Sequence, residues 1–184
     1  MLHDGDQVLD LGCGCGVPAT AILAERYGVT GVDISPVQIA RAQQLVPRAR
    51  FQCTDMATLE FPPQSFAAIV SFYAMIHLPL DEQPGIFKNI HLWLKPGGYL
   101  LATVGSGAWT GTEGDWLGAP MYWSHADGAT YLTWLEETGF EVRWMRFVPE
   151  GRGGHTLVLA KTPTLPSAAS GGGGLDAWGR RVIG

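Results

Sequence analysis

No stretch of this sequence approaches the ~20 consecutive apolar residues that a membrane-spanning helix needs. Its first residues, MLHDGDQ, form neither a secretory leader nor a transit peptide. A cytoplasmic protein that does not enter a membrane is therefore the expectation. Basic residues are scarce, with 12 Lys and Arg against 17 Asp and Glu, a net charge of −5. No basic stripe is present to neutralise a nucleic-acid backbone, so nucleic acid is not the expected partner. Cysteine is nearly absent. The three present, Cys13, Cys15 and Cys53, do not make a disulfide framework. Cys13-x-Cys15 is too closely spaced for common zinc ligation and no second pair completes it, so no metal is expected either. All three are expected to be small buried apolar residues. Charged residues make up only 16% of the chain against 46% hydrophobic, which excludes a disordered polymer. The 184 residues suffice for one domain with a real core, and no internal repeat divides them.

What is present is organised around Gln7 to Thr20, QVLDLGCGCGVPAT. An apolar run (Val8, Leu9, Leu11) reads as a strand buried on both faces. It closes on Asp10 and on glycines at alternate positions, Gly12, Gly14 and Gly16, which let the backbone approach a ligand. A helix is predicted from Pro18 to about Tyr27, stopped by Gly28. A short strand follows, Val29 to Asp33, and then a helix to about Val46 with Ser35 as N-cap and Pro36 at its first position. Arg50–Cys53 is a third strand ending at Thr54-Asp55, and Ser65 to Tyr73 a fourth. Asp81 to Leu94 is helical, Lys95-Pro96-Gly97-Gly98 a structural turn, and Tyr99 to Val104 a fifth strand. Strands alternating with helices at this spacing predict right-handed βαβ units and a doubly wound parallel sheet. Gly105 to Ser124 breaks the pattern: it is too polar and glycine-rich for core, yet rich in aromatics. A last helix is expected from Gly128 to Thr138, stopped by Gly139. Two strands follow, Phe140–Val148 and His155–Ala160, joined by the turn PEGRGG as an antiparallel hairpin. Residues 1–161 form the domain. Residues 162–184, rich in Pro, Ser and Gly, read as a flexible tail.

In an open parallel sheet, ligands bind beyond the carboxyl ends of the strands. Those ends here carry Asp10 with the glycine turn, Asp33, Asp55 and Ser71-Phe72. An acid at the end of the second strand, about 20 residues past the glycine turn, is placed to accept from vicinal ribose hydroxyls. The dinucleotide pattern G-x-G-x-x-G would need glycine where Val17 stands, and no second phosphate-binding element exists. A nucleoside-bearing ligand without pyrophosphate is thus favoured over NAD(P). Asp33, Asp55 and Asp10 also have a plainer reading as turn or cap residues.

With these residues in hand, the chain resembles a class I S-adenosylmethionine-dependent methyltransferase of the small-molecule type. The likeness is carried by VLDLGCGCG (8–16), TGVDIS (30–35), CTDM (53–56), FAAIVSFYAMIHL (66–78) and LKPGGYLLAT (94–103). It implies a Rossmann-like, seven-stranded, mostly parallel sheet with helices on both faces, the last strand antiparallel beside the fifth. It implies S-adenosylmethionine as cofactor and a small molecule as substrate. The Gly12, Gly14 and Gly16 turn would face the methionine part, with Asp10 supporting its ammonium. Asp33 would hold the ribose hydroxyls, Ile34 would pack on adenine, and Asp55 with the Met56 backbone would meet the adenine amino group. Ser71 and Phe72 would line the sulfonium region.

Methyl transfer is an in-line displacement served by positioning and by exclusion of water. A hydroxyl or protonated amine acceptor also needs a base. His77, a few residues past the fourth strand, is the expected base, and its ordinary pKa suits that task; shaping of the pocket is its other reading. Trp109, Tyr122 and His125 are candidate walls for an apolar or aromatic substrate, with packing of the last helix as the competing reading. Glu150 and His155 flank the hairpin turn and reach toward the same face. The first strand begins within seven residues of Met1, where the family usually carries covering helices. Either the chain is a truncated form, or the 105–124 segment and a partner subunit, as in a homodimer, supply the cover. A non-catalytic module binding S-adenosylmethionine or a nucleoside is the alternative to an enzyme.

Overall fold

The computed structural model describes residues 1–116, 118–151 and 153–164. The chain runs β1 (Gln7–Leu11), α1 (Ala19–Leu23), β2 (Gly28–Asp33), α2 (Pro36–Leu45), β3 (Arg50–Cys53), β4 (Phe66–Ser71), α3 (Gln83–Trp93) and β5 (Leu94–Gly105). It continues through β6 (Trp109–Trp116), β7 (Ala119–His125), α4 (Gly128–Thr138), β8 (Glu141–Glu150) and β9 (Gly153–Lys161). Seven strands form one sheet in the order β3-β2-β1-β4-β5-β9-β8. β9 runs antiparallel to both of its neighbours, and the other pairings are parallel. Strand order reverses at β1 and β4, so their carboxyl ends open the crevice where such sheets bind ligands.

Alternation of side chains along the strands feeds two unequal cores. Leu9, Leu11, Val32, Ile69, Leu100 and Val158 join residues of α3 and α4 (Phe87, Ile90, Trp93, Tyr131, Leu135) in the larger one. Each large apolar side chain buried there contributes roughly 1.5–3 kcal/mol. Val8, Val29 and Ala68 face the other way, against Leu23, Ala24 and Tyr27. α2 starts as its sequence demands: Ser35 Oγ accepts from the Gln38 N–H at 3.3 Å and Pro36 opens the first turn. α4 is capped at both ends, by Asp127 accepting from the Thr130 N–H at 2.8 Å and by Gly139 in the left-handed region, φ +98°.

Several sequence expectations are corrected. The helix expected to reach Tyr27 is only five residues long, without a side-chain cap, because Gly28 is already drawn into β2 opposite Gln7. Lys95–Gly98 is not a free turn but the start of β5, where a register shift between Phe66 and Ala68 lets Leu94 pair with Phe66. Gly97 makes the irregularity possible at φ +76°. The aromatic 105–124 segment holds a two-stranded antiparallel hairpin, β6–β7, whose register shifts between Glu113 and Trp116. The tail does not leave the body at 162. Thr162 is buried; its N–H donates to Gly98 O at 3.0 Å, and its hydroxyl accepts from the Gly98 N–H at 3.0 Å. The rest of the expected tail, 165–184, and Arg152 within the expected PEGRGG turn lie outside the described residues. The cysteines are not all buried: Cys13 and Cys15 are half-buried and Cys53, at the end of the edge strand β3, is exposed. Burial pushes the Cys13 thiol up to about 12, with Asp10 and Asp33 adding to the effect, so it stays a protonated packing group. No helix among the described residues is long and apolar enough to cross a membrane.

Candidate functional site

The carboxyl ends of β1, β2 and β3 border a cavity of about 640 Å3 lined by Gly12, Gly14, Asp33, Ile34, Asp55 and Met56. The glycine turn is fixed by main-chain bonds. The Gly12 and Cys13 N–H groups donate to Val32 O at 2.8 and 2.9 Å, and Gly14 N–H donates to Asp33 Oδ2 at 2.9 Å. All three glycines adopt positive φ. Gly12 could not be otherwise, because a Cβ there would stand 2.0 Å from Ala74 Cβ. At Gly14 a Cβ would meet nothing within 4 Å, leaving space directly above the backbone for a ligand. Gly16 lines no cavity described here; its Cα faces α2, where a Cβ would lie 3.1 Å from Val46 Cγ2.

Asp33 holds the turn with one oxygen and Ser35 N–H with the other, at 2.8 Å. Asp55 caps the 3₁₀ turn Met56–Thr58 by accepting from Ala57 N–H at 2.9 Å. Both cap readings from the sequence are thus correct, and both carboxylates border the cavity as well. Ile34 is 68% exposed at its rim, an apolar side chain placed to lie against a flat ligand. Gln38 reaches in from α2, and its Oε1 is buried with no hydrogen-bond partner among the described residues.

Asp10, Gly12, Phe72 and Tyr73 border a second cavity of about 200 Å3 that shares Gly12 and Tyr73 with the first. Asp10 is buried, and its Oδ2 accepts from Thr20 Oγ1–H at 2.6 Å. Burial pushes its carboxyl up to about 6; the Thr20 bond opposes this and the Asp33 charge adds to it. A bound cation would relieve that cost. Ser71 does not line either cavity. Its side chain is buried and donates to Leu11 O at 2.9 Å, tying β4 to β1.

His77 closes the 3₁₀ turn Met75–His77 and lines the larger cavity. Its Nδ1 lies 2.7 Å from Tyr122 O. A carbonyl only accepts, so Nδ1 carries the proton and neutral His77 keeps its lone pair on Nε2. Trp123 packs on the ring at 4.6 Å between centroids. The hairpin is further held by Gln83 Nε2–H donating to Ser124 O at 2.6 Å. Of the hairpin residues foreseen as substrate walls, Tyr122 borders a separate surface cavity with Trp134 and Pro84. Trp109 and His125 line none; His125 Nδ1–H donates to Gly107 O at 2.6 Å. Met121, Tyr73, Gln38 and Glu82 line the larger cavity and were missed. Tyr73, two residues past the strand, had a positional signal. Met121 had none.

Residues 8–98 match the family described as a methyltransferase domain. A 2-methyl-6-phytyl-1,4-hydroquinone methyltransferase of Synechocystis sp. is 41% identical over 105 residues, 54% of this chain and 32% of that protein. A phosphoethanolamine N-methyltransferase of Plasmodium falciparum is 35% identical over 107 residues, 55% of this chain and 40% of that protein. The chain thus spans less than half the length of these curated relatives. Among solved structures, a SAM-dependent methyltransferase from Methanosarcina mazei superposes with a TM-score of 0.77 at 21% identity, over 89% of this chain and 95% of the other. Over residues 8–98 the chain matches the methyltransferase-domain family, and its fold is that of solved S-adenosylmethionine-dependent methyltransferases.

Proposed function

We propose that the chain binds S-adenosylmethionine in the paired cavities and transfers its methyl group to a small molecule. One observation carries the reading: a glycine turn with open space at Gly14 faces two carboxylates, Asp33 and Asp55, an exposed Ile34 and an unpartnered buried acceptor, Gln38 Oε1. That donor and acceptor set suits an adenosine, with Asp33 toward ribose and Asp55, Ile34 and the Met56 backbone toward adenine. The smaller cavity, with Asp10 on its wall, suits the methionine ammonium, whose charge would offset the cost of the buried carboxylate. When bound, the cofactor supplies an electrophilic methyl group on a sulfonium, and the acceptor's new bond to carbon forms as the carbon–sulfur bond breaks. His77, with Nε2 as acceptor, takes the proton of an ammonium nucleophile.

The relatives named above act on a hydroquinone and on phosphoethanolamine, which supports a small-molecule acceptor. The reading extends to a cytoplasmic setting, to residues 1–161 as the working domain, and to a homodimer that adds cover over the rim at Ile34. Calorimetry with S-adenosylmethionine, S-adenosylhomocysteine and NAD tests the core of it. Binding of the first two and not the third is expected; absence of binding at sub-millimolar concentration refutes it. Light scattering tests the dimer, which a monomer would refute.

A further inference from the structure

Tyr73 is the residue that the two cavities share with Gly12. It takes φ +54°, a left-handed conformation that bulky side chains rarely adopt. Such backbone persists only where its surroundings hold it, and here Ala74 is pressed against the bare Cα of Gly12. From that position the phenol donates its hydroxyl proton to Glu150 Oε1, at the end of β8. Glu150 Oε2 in turn accepts from His155 Nδ1–H at 3.0 Å, from β9. The His155 ring meets the Tyr73 ring edge-on at 5.4 Å between centroids, and Trp123 stacks on it at 6.3 Å. Three side chains from three elements therefore form one directed line ending at the cavities. The Glu150 bond pushes the Tyr73 phenol up to about 12, with burial and the Glu150 charge adding to it, so the hydroxyl stays protonated and its oxygen lone pairs remain available.

We propose that Tyr73, Glu150 and His155 form a proton-accepting relay for a hydroxyl methyl acceptor, as His77 serves an ammonium, with Tyr73 Oη as the atom that meets it. This rests on the methyl-transfer reading. The acceptor loses one proton as it gains the methyl group. That proton moves from the acceptor to Tyr73 Oη, while the proton Tyr73 held moves to Glu150 Oε1. His155 Nδ1–H keeps its bond to Oε2 and holds the carboxyl in line. The proton on Glu150 returns to water after the product leaves. Tyr73 is the catalytic residue of this relay, and Glu150 and His155 act through it.

The test compares two acceptors that differ in their need for a base. Catechol must lose a proton, whereas 4-nitrophenol is already ionised at mildly alkaline pH. Tyr73→Phe should lower kcat on catechol by about 10²-fold or more and leave 4-nitrophenol far less affected. Glu150→Gln should follow the same split, with KM for either acceptor little changed. Equal losses on both acceptors, or no loss on catechol, would overturn the relay while leaving methyl transfer standing. Failure of the wild type to turn over catechol, 4-nitrophenol or ethanolamine, with S-adenosylhomocysteine bound normally, would overturn the transfer reading and the relay together. A readout independent of turnover is alkaline difference absorbance on the cofactor-free protein. Glu150→Gln should bring one late-ionising phenol, absent in Tyr73→Phe, down toward the ordinary tyrosine range. No change there would break the relay at its first link.

Discussion

The two sides of the larger cavity are held by different kinds of bond. On the cofactor side, Gly12, Gly14, Asp33 and Asp55 sit at the ends of adjacent parallel strands and are fixed by bonds to main-chain N–H and C=O groups. On the acceptor side, His77 is held by a hairpin carbonyl 45 positions away, and Tyr73 by a carboxylate 77 positions away. Backbone register sets the first side once the sheet forms. The second exists only when separate elements dock. The hairpin and the β8–β9 turn fall outside the stretch that matches the methyltransferase domain family. On the proposed reading, cofactor binding is built into the sheet and acceptor choice into elements added to it.

Breaking the cofactor side should give the largest effect. Asp33→Ala removes the acceptor of Gly14 N–H and of Ser35 N–H together with the proposed ribose contact. Charge-assisted bonds of this kind contribute roughly 1.5–3 kcal/mol each, so S-adenosylhomocysteine affinity should fall on the order of 10³-fold by calorimetry. Unchanged affinity would refute the assignment. His77→Ala strikes the acceptor side instead. Turnover of an amine acceptor should drop by ~10²-fold or more with S-adenosylhomocysteine affinity preserved. Loss of affinity in step with turnover would mean the two sides are not separable.

That contrast also explains what the sequence disclosed. The glycine turn, Asp33 and Asp55 were legible because spacing along one βαβ unit fixes where they end up. Helix caps at Ser35 and Gly139 were legible for the same reason: cap chemistry is local. Ser71 was misplaced because a strand-end serine looks the same whether it faces a ligand or ties two strands, and the bond to Leu11 O decided it. The β6–β7 hairpin escaped notice because its glycine-rich strands lack the apolar alternation that marks a half-buried strand. Met121 reaches its site only through tertiary docking, which no local pattern encodes, whereas the place of Glu150 beside the hairpin turn pointed toward that face.

The joint between the two sides can be broken at Gln83. It is 1% exposed; its Nε2 donates to Leu78 O and Ser124 O, and its Oε1 accepts from Tyr131 Oη–H at 2.6 Å. Gln83→Ala leaves Ser124 O and Tyr131 Oη–H unsatisfied where they are buried, at about 1–3 kcal/mol each, and Leu78 O where it is half-buried, so unfolding free energy should fall by roughly 3–4 kcal/mol, read by denaturant titration. A loss below ~1 kcal/mol would show that water replaces the side chain.

Asp10 sharpens the comparison from the opposite direction, because removing its charge should stabilise. Its folded-state carboxyl lies at about 6 against an ordinary 3.8, raised chiefly by burial. A raised acid binds its proton more tightly in the fold, so stability declines as pH climbs from 3.8 to 6 and the penalty is complete above. Asp10→Asn escapes that penalty while still accepting from Thr20. It should exceed the wild type by roughly 2–3 kcal/mol at neutral pH and match it in acid below the aspartate range. Binding of S-adenosylmethionine should weaken at the same time, since the ammonium loses its partner. A variant less stable than wild type at neutral pH would show that the carboxylate is already compensated within the fold.

The smallest effect is expected at Trp109, one of the three residues read as substrate walls. Its ring is 46% exposed, lies 6.2 Å from His125, and borders none of the cavities. It begins β6, opposite His125, where main-chain pairing rather than the indole holds the strand. Trp109→Ala should therefore change stability by no more than about 0.5 kcal/mol, the range of surface substitutions, and leave KM for the acceptor unaltered. Trp123→Ala is the matched control on the same hairpin. That ring is 8% exposed and packs on His77 and His155, so its loss should free both histidines and lower kcat. If Trp109→Ala raised KM as strongly as Trp123→Ala lowered kcat, the hairpin's outer face would belong to the acceptor site, and its boundary would have to be redrawn around β6 rather than β7.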